Sequence, residues 1–247
     1  MYKKIKNICV ISDIHCRPYW RNINPDDYDK IIFLGDYCDS FHYSDVEFLH
    51  NLKEIIAFKK AYYEKVILLI GNHDQPQYLY KDFLFNSGFR FELEYDLYDL
   101  FNKNSDLFQI CYVHKNYLFS HAGITNRWLK VYKKDINAAF RAIKEKFKLK
   151  AKVYSLFEKI NWLQHSEWGR QLIFSYDSIR SQNPSLVGGC IWVDKLNSRY
   201  DSLKGYIQFV GHTPVDGFET YGHGDTSITF CDVLGTKQEF KIITIPD

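Results

Sequence analysis

The sequence is short of the features that would place it in a membrane, outside the cell or on a nucleic acid. No run approaches the roughly 18 apolar residues of a membrane span. The lysines of the amino-terminal MYKKIKNICVIS resemble those of a secretory leader, but its apolar run stops at Ser12 and Asp13 with no cleavage site after it, so the segment reads as a first strand. Six cysteines (Cys9, Cys16, Cys38, Cys111, Cys190 and Cys231) stand singly, without the close pairs of a zinc clip or the density of a small disulfide scaffold. A reducing, cytoplasmic setting is expected. There is no excess of one charge either: net charge is +2 and the pI about 8.1, so no dedicated nucleic-acid surface is expected, although a local patch is compatible with these values. A single methionine and an abundance of Phe, Tyr, Lys and Asn carry no functional message. What is present is the balance of a folded protein, 46% hydrophobic and 25% charged over 247 residues, enough for one sizeable core.

Short β-branched and apolar runs, NICVIS, KIIFLG, KVILLIG, YLFSH and YIQFVG, alternate with longer amphipathic stretches, the pattern of an α/β fold with largely parallel strands. A helix is predicted from about Ser44 to Glu64, with Leu49, Leu52, Ile55, Ile56 and Phe58 on its apolar side. From about Asn126 to Gln164 the pattern is helical again, with dense lysines opposite Trp128, Val131, Ile136, Phe140 and Ile143, and reads as part of a helical insertion at about 126–185. The stretch from Trp168 to Arg199 reads as irregular. TSITFCDV and FKIITI are predicted to close the chain as antiparallel strands. No linker or repeat divides the sequence, so one domain over 1–247 is expected.

The chemistry sits where the apolar runs stop. In order along the chain come SDIH (Asp13, His15), GDYCD (Asp36, Asp39), GNHD (Asn72, His73), SHAG (His121) and GHTP (His212). In α/β sheets ligands bind beyond the carboxyl ends of strands, where loops converge on a rigid frame. Singly each piece is a common turn with polar residues; five at successive strand ends form a donor set. Oxygen and imidazole donors without thiolates suit manganese, iron or zinc. Strand alternation would put Asp13 and His15 on one face, touching one ion. Asp36 can bridge that ion to a second, whose shell Asn72, His121 and His212 would complete. His42, His50, His114, His165 and His223 lack a strand-end glycine partner and are expected in surface or satisfied-core roles.

This order of motifs resembles the calcineurin-like metallophosphoesterases, whose pattern is D-x-H, G-D-x-x-D, G-N-H-[DE], a histidine often written H-A-G, and G-H. The resemblance runs from Asp13 to His212. It implies a four-layer α/β/β/α sandwich of two mixed sheets and two divalent cations, most simply Mn2+, with Fe or Zn as alternatives. Asp13, His15 and Asp36 would hold one cation, and Asp36, Asn72, His121 and His212 the other. It also implies that His73 is not a ligand but pairs with Asp39 and faces the leaving group. Two such cations lower the pKa of a shared water and clamp the phosphoryl oxygens for in-line attack. Asp39 would help keep His73 protonated, so that it can give the leaving oxygen a proton. Asp74 is expected either to cap the next helix or to orient backbone.

Departures from the pattern narrow the expectation. Nuclease and cyclic-nucleotide branches of the family continue G-H into G-H-x-H, whereas this chain has Pro214 there. HAG and GHTP look more like the PPP-type serine/threonine phosphatases and the symmetrical diadenosine tetraphosphatases. Those continue G-D-x-x-D into Arg-Gly, where this chain has Ser40 and Phe41. Arg17 or Arg180 could supply the missing phosphate fork. Cys16 replaces the glycine usual after the first histidine, and is expected to be a buried, inert thiol. The expected activity is hydrolysis of phosphate monoesters, phosphoserine and phosphothreonine among them. A dinucleoside polyphosphate hydrolase is the alternative, and an inactive scaffold a third reading.

Overall fold

The computed structural model describes residues 5–80 and 87–246. They divide into two compact units, one within Met1–Gln109, Pro214–Glu219 and Phe230–Asp247, the other within Ile110–Thr213 and Thr220–Thr229.

The first unit is built on a five-stranded mixed sheet. Its strands are β1 (Asn7–Ile11), β2 (Lys30–Phe33), β3 (Val66–Leu69), β4 (Phe108–Gln109) and a strand near the end of the chain at Lys241–Thr244. β1, β2, β3 and β4 run parallel in that order, and the Lys241–Thr244 strand pairs antiparallel with β1. The parallel strands are almost wholly apolar because both of their faces are covered, and Ile8 to Ile11, Ile31 to Leu34 and Leu68 to Ile70 are nearly inaccessible. Register puts Ile11 beside Phe33 and Phe33 beside Leu68, so the chain leaves β1, β2 and β3 at one edge of the sheet.

Helix α1 (Asp45–Ala61) connects β2 to β3. It begins on a reciprocal capping box between Ser44 and Glu47, and ends about one turn short of the predicted limit. It buries Phe48, Leu52, Ile55 and Ile56, with Leu49 and Phe58 at the margin. A short α2 (Gln75–Tyr78) and α3 (Glu94–Lys103) follow β3, and α3 docks through Leu97 and Phe101. The polar loop after β1 contains two 3-10 turns, Pro18–Asn22 and Pro25–Asp27, each started by a proline whose missing N–H costs nothing there.

The second unit carries the other five-stranded sheet: β5 (Cys111–His114), β6 (Tyr117–Ser120), β7 (Ile207–Val210), β8 (Glu219–His223) and β9 (Thr226–Phe230), in spatial order β5-β6-β7-β9-β8. The Lys241–Thr244 strand of the first sheet is therefore β10. TSITFCDV and FKIITI each supply a strand, β9 and β10, but in different sheets, and β10 finds its antiparallel partner in β1. β5 and β6 are antiparallel and β6 and β7 parallel, so this sheet too is mixed.

The predicted long helical stretch is two helices, α4 (Asn126–Lys146) and α5 (Leu156–Leu163), each started by a side-chain cap, Thr125 and Ser155. α4 buries Trp128, Ile136, Ala139, Phe140 and Ile143, but Val131 is half exposed and not on the buried face. The stretch expected to be irregular holds three further short helices, α6 (Glu167–Ile173), α7 (Ser178–Ser181) and α8 (Lys195–Ser198), started by Ser166, Asp177 and Asp194. These caps were legible signals that the nearby glycines outweighed. All six cysteines are buried thiols, and among the described residues no helix is long and apolar enough to cross a membrane.

Candidate active site

In the first unit the strand ends bring Asp13, His15, Asp36 and Asn72 to one edge, but by turns rather than by strand alternation. β1 ends at Ile11, so Asp13 and His15 lie beyond it, and the argument that alternation aligns them fails. Nine non-glycine residues have positive φ among those described, and six of them are Asp13, His15, Cys16, Asp36, Asp39 and His212. Left-handed backbone is uncommon for such residues, and its concentration at strand ends marks a place where geometry is held against local preference. Cys16, at φ +67°, occupies the glycine position of the family pattern in a conformation that glycine takes freely. Its thiol is 2% exposed and pushed well above the ordinary cysteine range by burial and by Asp39. It is the inert thiol expected.

His15 Nδ1 lies 2.8 Å from the carbonyl oxygens of Cys38 and Asp39, to which it donates, and its Nε2 lies 3.6 Å from Asp36 Oδ2. An imidazole oriented through one nitrogen by a carbonyl, with the other toward a carboxylate, could hold a metal ion. Asp36 Oδ1 accepts the His73 backbone N–H at 3.0 Å, and Ser12 Oγ donates to Asp13. Asn72, 3% exposed, sits between Gly71 and His73, both of which touch Asp36.

Asp74 settles its two expected roles in favour of the backbone. It makes no side-chain cap to α2. Its Oδ2 accepts from the N–H of Asp36 (2.8 Å) and Gly71 (2.9 Å), and Oδ1 from Tyr37 (2.8 Å) and Cys38 (3.3 Å), tying the GDYCD turn to the GNHD turn. Burial, then the Asp36 charge, pushes its carboxyl up to about 7. Asp232, just after β9, is pushed up to about 7 by the same two causes, while Arg17 pulls the other way. Asp232 too is an acid at the end of an apolar run, but it belongs to none of the five motifs. This crowding of buried carboxylates, with an imidazole nitrogen aimed among them, is a donor set that fits divalent cations.

His73 Nδ1–H donates to Asp39 Oδ2 at 2.7 Å. Asp39 also accepts from Gln77 Nε2 at 2.7 Å and from the Tyr78 hydroxyl, two partners with no motif to announce them. Burial alone would lower the His73 imidazole, but Asp36, Asp39 and Asp74 outweigh it and raise it to about 9. His73 and Asp39 open with His15, Arg17 and Ser40 into a cavity of about 230 Å³. Arg17 Nη1 donates to the carbonyls of Asp13 and Ile14, which steadies the guanidinium at the cavity wall.

The second unit places His121 and His212 together. β6 and β7 are parallel neighbours paired through Phe119 and Phe209, so the residues after them emerge side by side. The Gly211 N–H donates to the His121 carbonyl at 2.7 Å, and His121 Nε2 lies 3.2 Å from His212 Nδ1. Two buried ring nitrogens converging this closely suit a shared cation. Arg180 donates to Asp194 Oδ2 at 2.9 Å and to Thr213 Oγ1 at 3.2 Å, next to His212 but already engaged by an acid.

The family model for calcineurin-like phosphoesterases matches residues 6–237. The chain belongs to this family. It is thus a metal-dependent phosphoesterase, of a family that uses a dinuclear divalent metal site, and its two mixed sheets with flanking helices are those of the metallophosphoesterase fold. Among solved structures, the cold-active protein-tyrosine phosphatase of a psychrophilic Shewanella species is similar at 16% identity and TM-score 0.56, covering 98% of this chain and 76% of that one. A point mutant of a cold-active protein tyrosine phosphatase gives the same identity and coverage with TM-score 0.57. These likenesses show the fold. A search of curated proteins finds no match.

Proposed function

We propose that this phosphoesterase hydrolyses phosphate monoesters, phosphorylated protein side chains among them, with two divalent cations, Mn2+ in the first instance. Asp13, His15 and Asp36 would hold one cation, and Asp36, Asn72, His121 and His212 the other. When bound, the pair supplies Lewis-acid charge to the phosphoryl oxygens and lowers the pKa of the attacking water.

The rest is the work of the chain's own residues. Asp36, Asp13 and Asn72 present oxygens, and His15, His121 and His212 present ring nitrogens. Asp39 fixes His73 through Nδ1, which leaves Nε2 to protonate the leaving oxygen. Arg17 offers a planar fork to the non-bridging oxygens, and is better placed for this than Arg180, whose guanidinium already serves Asp194.

The observation that carries the monoester reading is the joint opening of His73, Asp39 and Arg17 into one small cavity. It holds a proton donor for one leaving group and a cation for a dianionic phosphoryl group, within a volume suited to a phosphorylated side chain. Pro214, where diesterase branches of the family carry a second histidine, favours the same reading. The fold neighbour is by name a protein-tyrosine phosphatase, which puts phosphotyrosine beside phosphoserine and phosphothreonine as a candidate.

The test is a panel of nitrophenyl phosphate, bis-nitrophenyl phosphate, phosphopeptides and diadenosine tetraphosphate with Mn2+. Monoesters and phosphopeptides should be turned over at least a hundredfold faster, in kcat/KM, than the diester. Preference for the dinucleotide would replace this reading with the nucleotide hydrolase, and no turnover of any ester with metal bound would replace it with the scaffold.

A further inference from the structure

The mild net charge of the whole chain conceals a strong local asymmetry. Between residues 126 and 159 stand eleven Lys and Arg against three Asp and Glu, a net of +8. The chain totals +2, so the other residues together carry −6. This basic segment is α4, the connection after it and the first turn of α5.

The apolar stripe of α4 is consumed inside the second unit by Trp128, Ile136, Ala139, Phe140 and Ile143, so its lysines line the outer face over a helix about 30 Å long. At the end of that face Arg141, Lys144, Lys152 and Lys159 surround a groove of about 470 Å³. Among the described residues no acidic side chain pairs with any of these four. Lys144 Nζ donates to the Ala151 carbonyl at 2.9 Å and Lys159 Nζ to Asn137 Oδ1 at 2.9 Å, which holds the ammonium groups in place. Phe140 and Tyr154, in edge contact at 4.9 Å between ring centroids, put aromatic surface in the groove wall.

We propose that this face binds single-stranded nucleic acid, with the backbone phosphates along the lysines of α4 and a base against Tyr154. A line of cations longer than a single groove suits a polymer with regularly spaced charge, and a cationic groove with an aromatic wall is the combination that holds single strands without reading sequence. A bilayer is a poorer occupant, because α4 has no unpartnered apolar face to insert. The inference is independent of the substrate assigned above.

The test is fluorescence anisotropy of the full chain with a 15-nucleotide single strand lacking terminal phosphates, titrated at several salt concentrations. Binding should weaken with a slope of about −3 in log K against log salt if roughly four phosphates are neutralised. Arg141→Glu with Lys152→Glu should weaken binding at least tenfold and flatten the slope by about 1.4, with an unchanged circular dichroism spectrum and urea midpoint as evidence of folding. Absence of binding at 50 mM salt, equal binding by the doubly substituted protein, or capture of polyglutamate or phosphatidylserine vesicles but not the oligonucleotide would each overturn the proposal.

Discussion

His73 points its Nδ1 proton at Asp39, and its nearest carboxylates hold the ring charged to about 9. With His73→Asn, the leaving oxygen would lose its proton source while the proposed ligands stay intact. The expected result is a fall in kcat of about a hundredfold or more, larger for phenyl phosphate than for nitrophenyl phosphate, whose phenolate leaves without help. Metal content measured on the same samples should not change. Asp74 answers to a different measurement. Its carboxylate serves four buried backbone N–H groups, and at roughly 1–3 kcal/mol for each donor left unsatisfied, Asp74→Ala should cost about 4 kcal/mol or more, read as a lower urea midpoint. Residue identities at the site were legible because a metal centre needs particular donors. The supports were not: Gln77 and Tyr78 hold Asp39 through contacts that no short pattern encodes, and Asp232 approaches Asp36 from about 200 residues further along the chain.

Strand ends are the elements that convert those identities into geometry. Parallel pairing of β1, β2 and β3 delivers three turns to one edge, and parallel pairing of β6 with β7 delivers His121 and His212 together. Gly71 shows how tight the delivery is: a Cβ there would lie 2.1 Å from Asp36 Oδ1. Gly71→Ala should therefore displace the Asp36 carboxylate and remove turnover, a loss that excess Mn2+ should not restore in a titration of activity against metal. The five strands that deliver donors could be read from the sequence because each is a short, mostly apolar run ending in a motif residue. β4, only two residues long, and β8, half exposed with Gly222 within it, have no such run to announce them. The expectation of alternation at Asp13 and His15 failed for a related reason, since the strand stops before them and left-handed turns take over.

At the scale of the whole molecule, the chain distributes its proposed ligands over both of its units, with Asp13, His15, Asp36 and Asn72 in one and His121 and His212 in the other. Charge is distributed as unevenly, with the basic segment confined to the second unit. The fold class was legible in the alternation of apolar runs and amphipathic stretches, but the division into units was not, because no linker marks it in the sequence. The account rests on a pair of cations, and the most direct test is the metal content of the purified protein, reconstituted with Mn2+ and measured by elemental analysis beside Asp36→Asn. The expected result is two ions per chain for the native sequence and a clear loss for the substituted protein, because Asp36 is the ligand assigned to both. A single ion per chain, or two ions retained by Asp36→Asn, would contradict it.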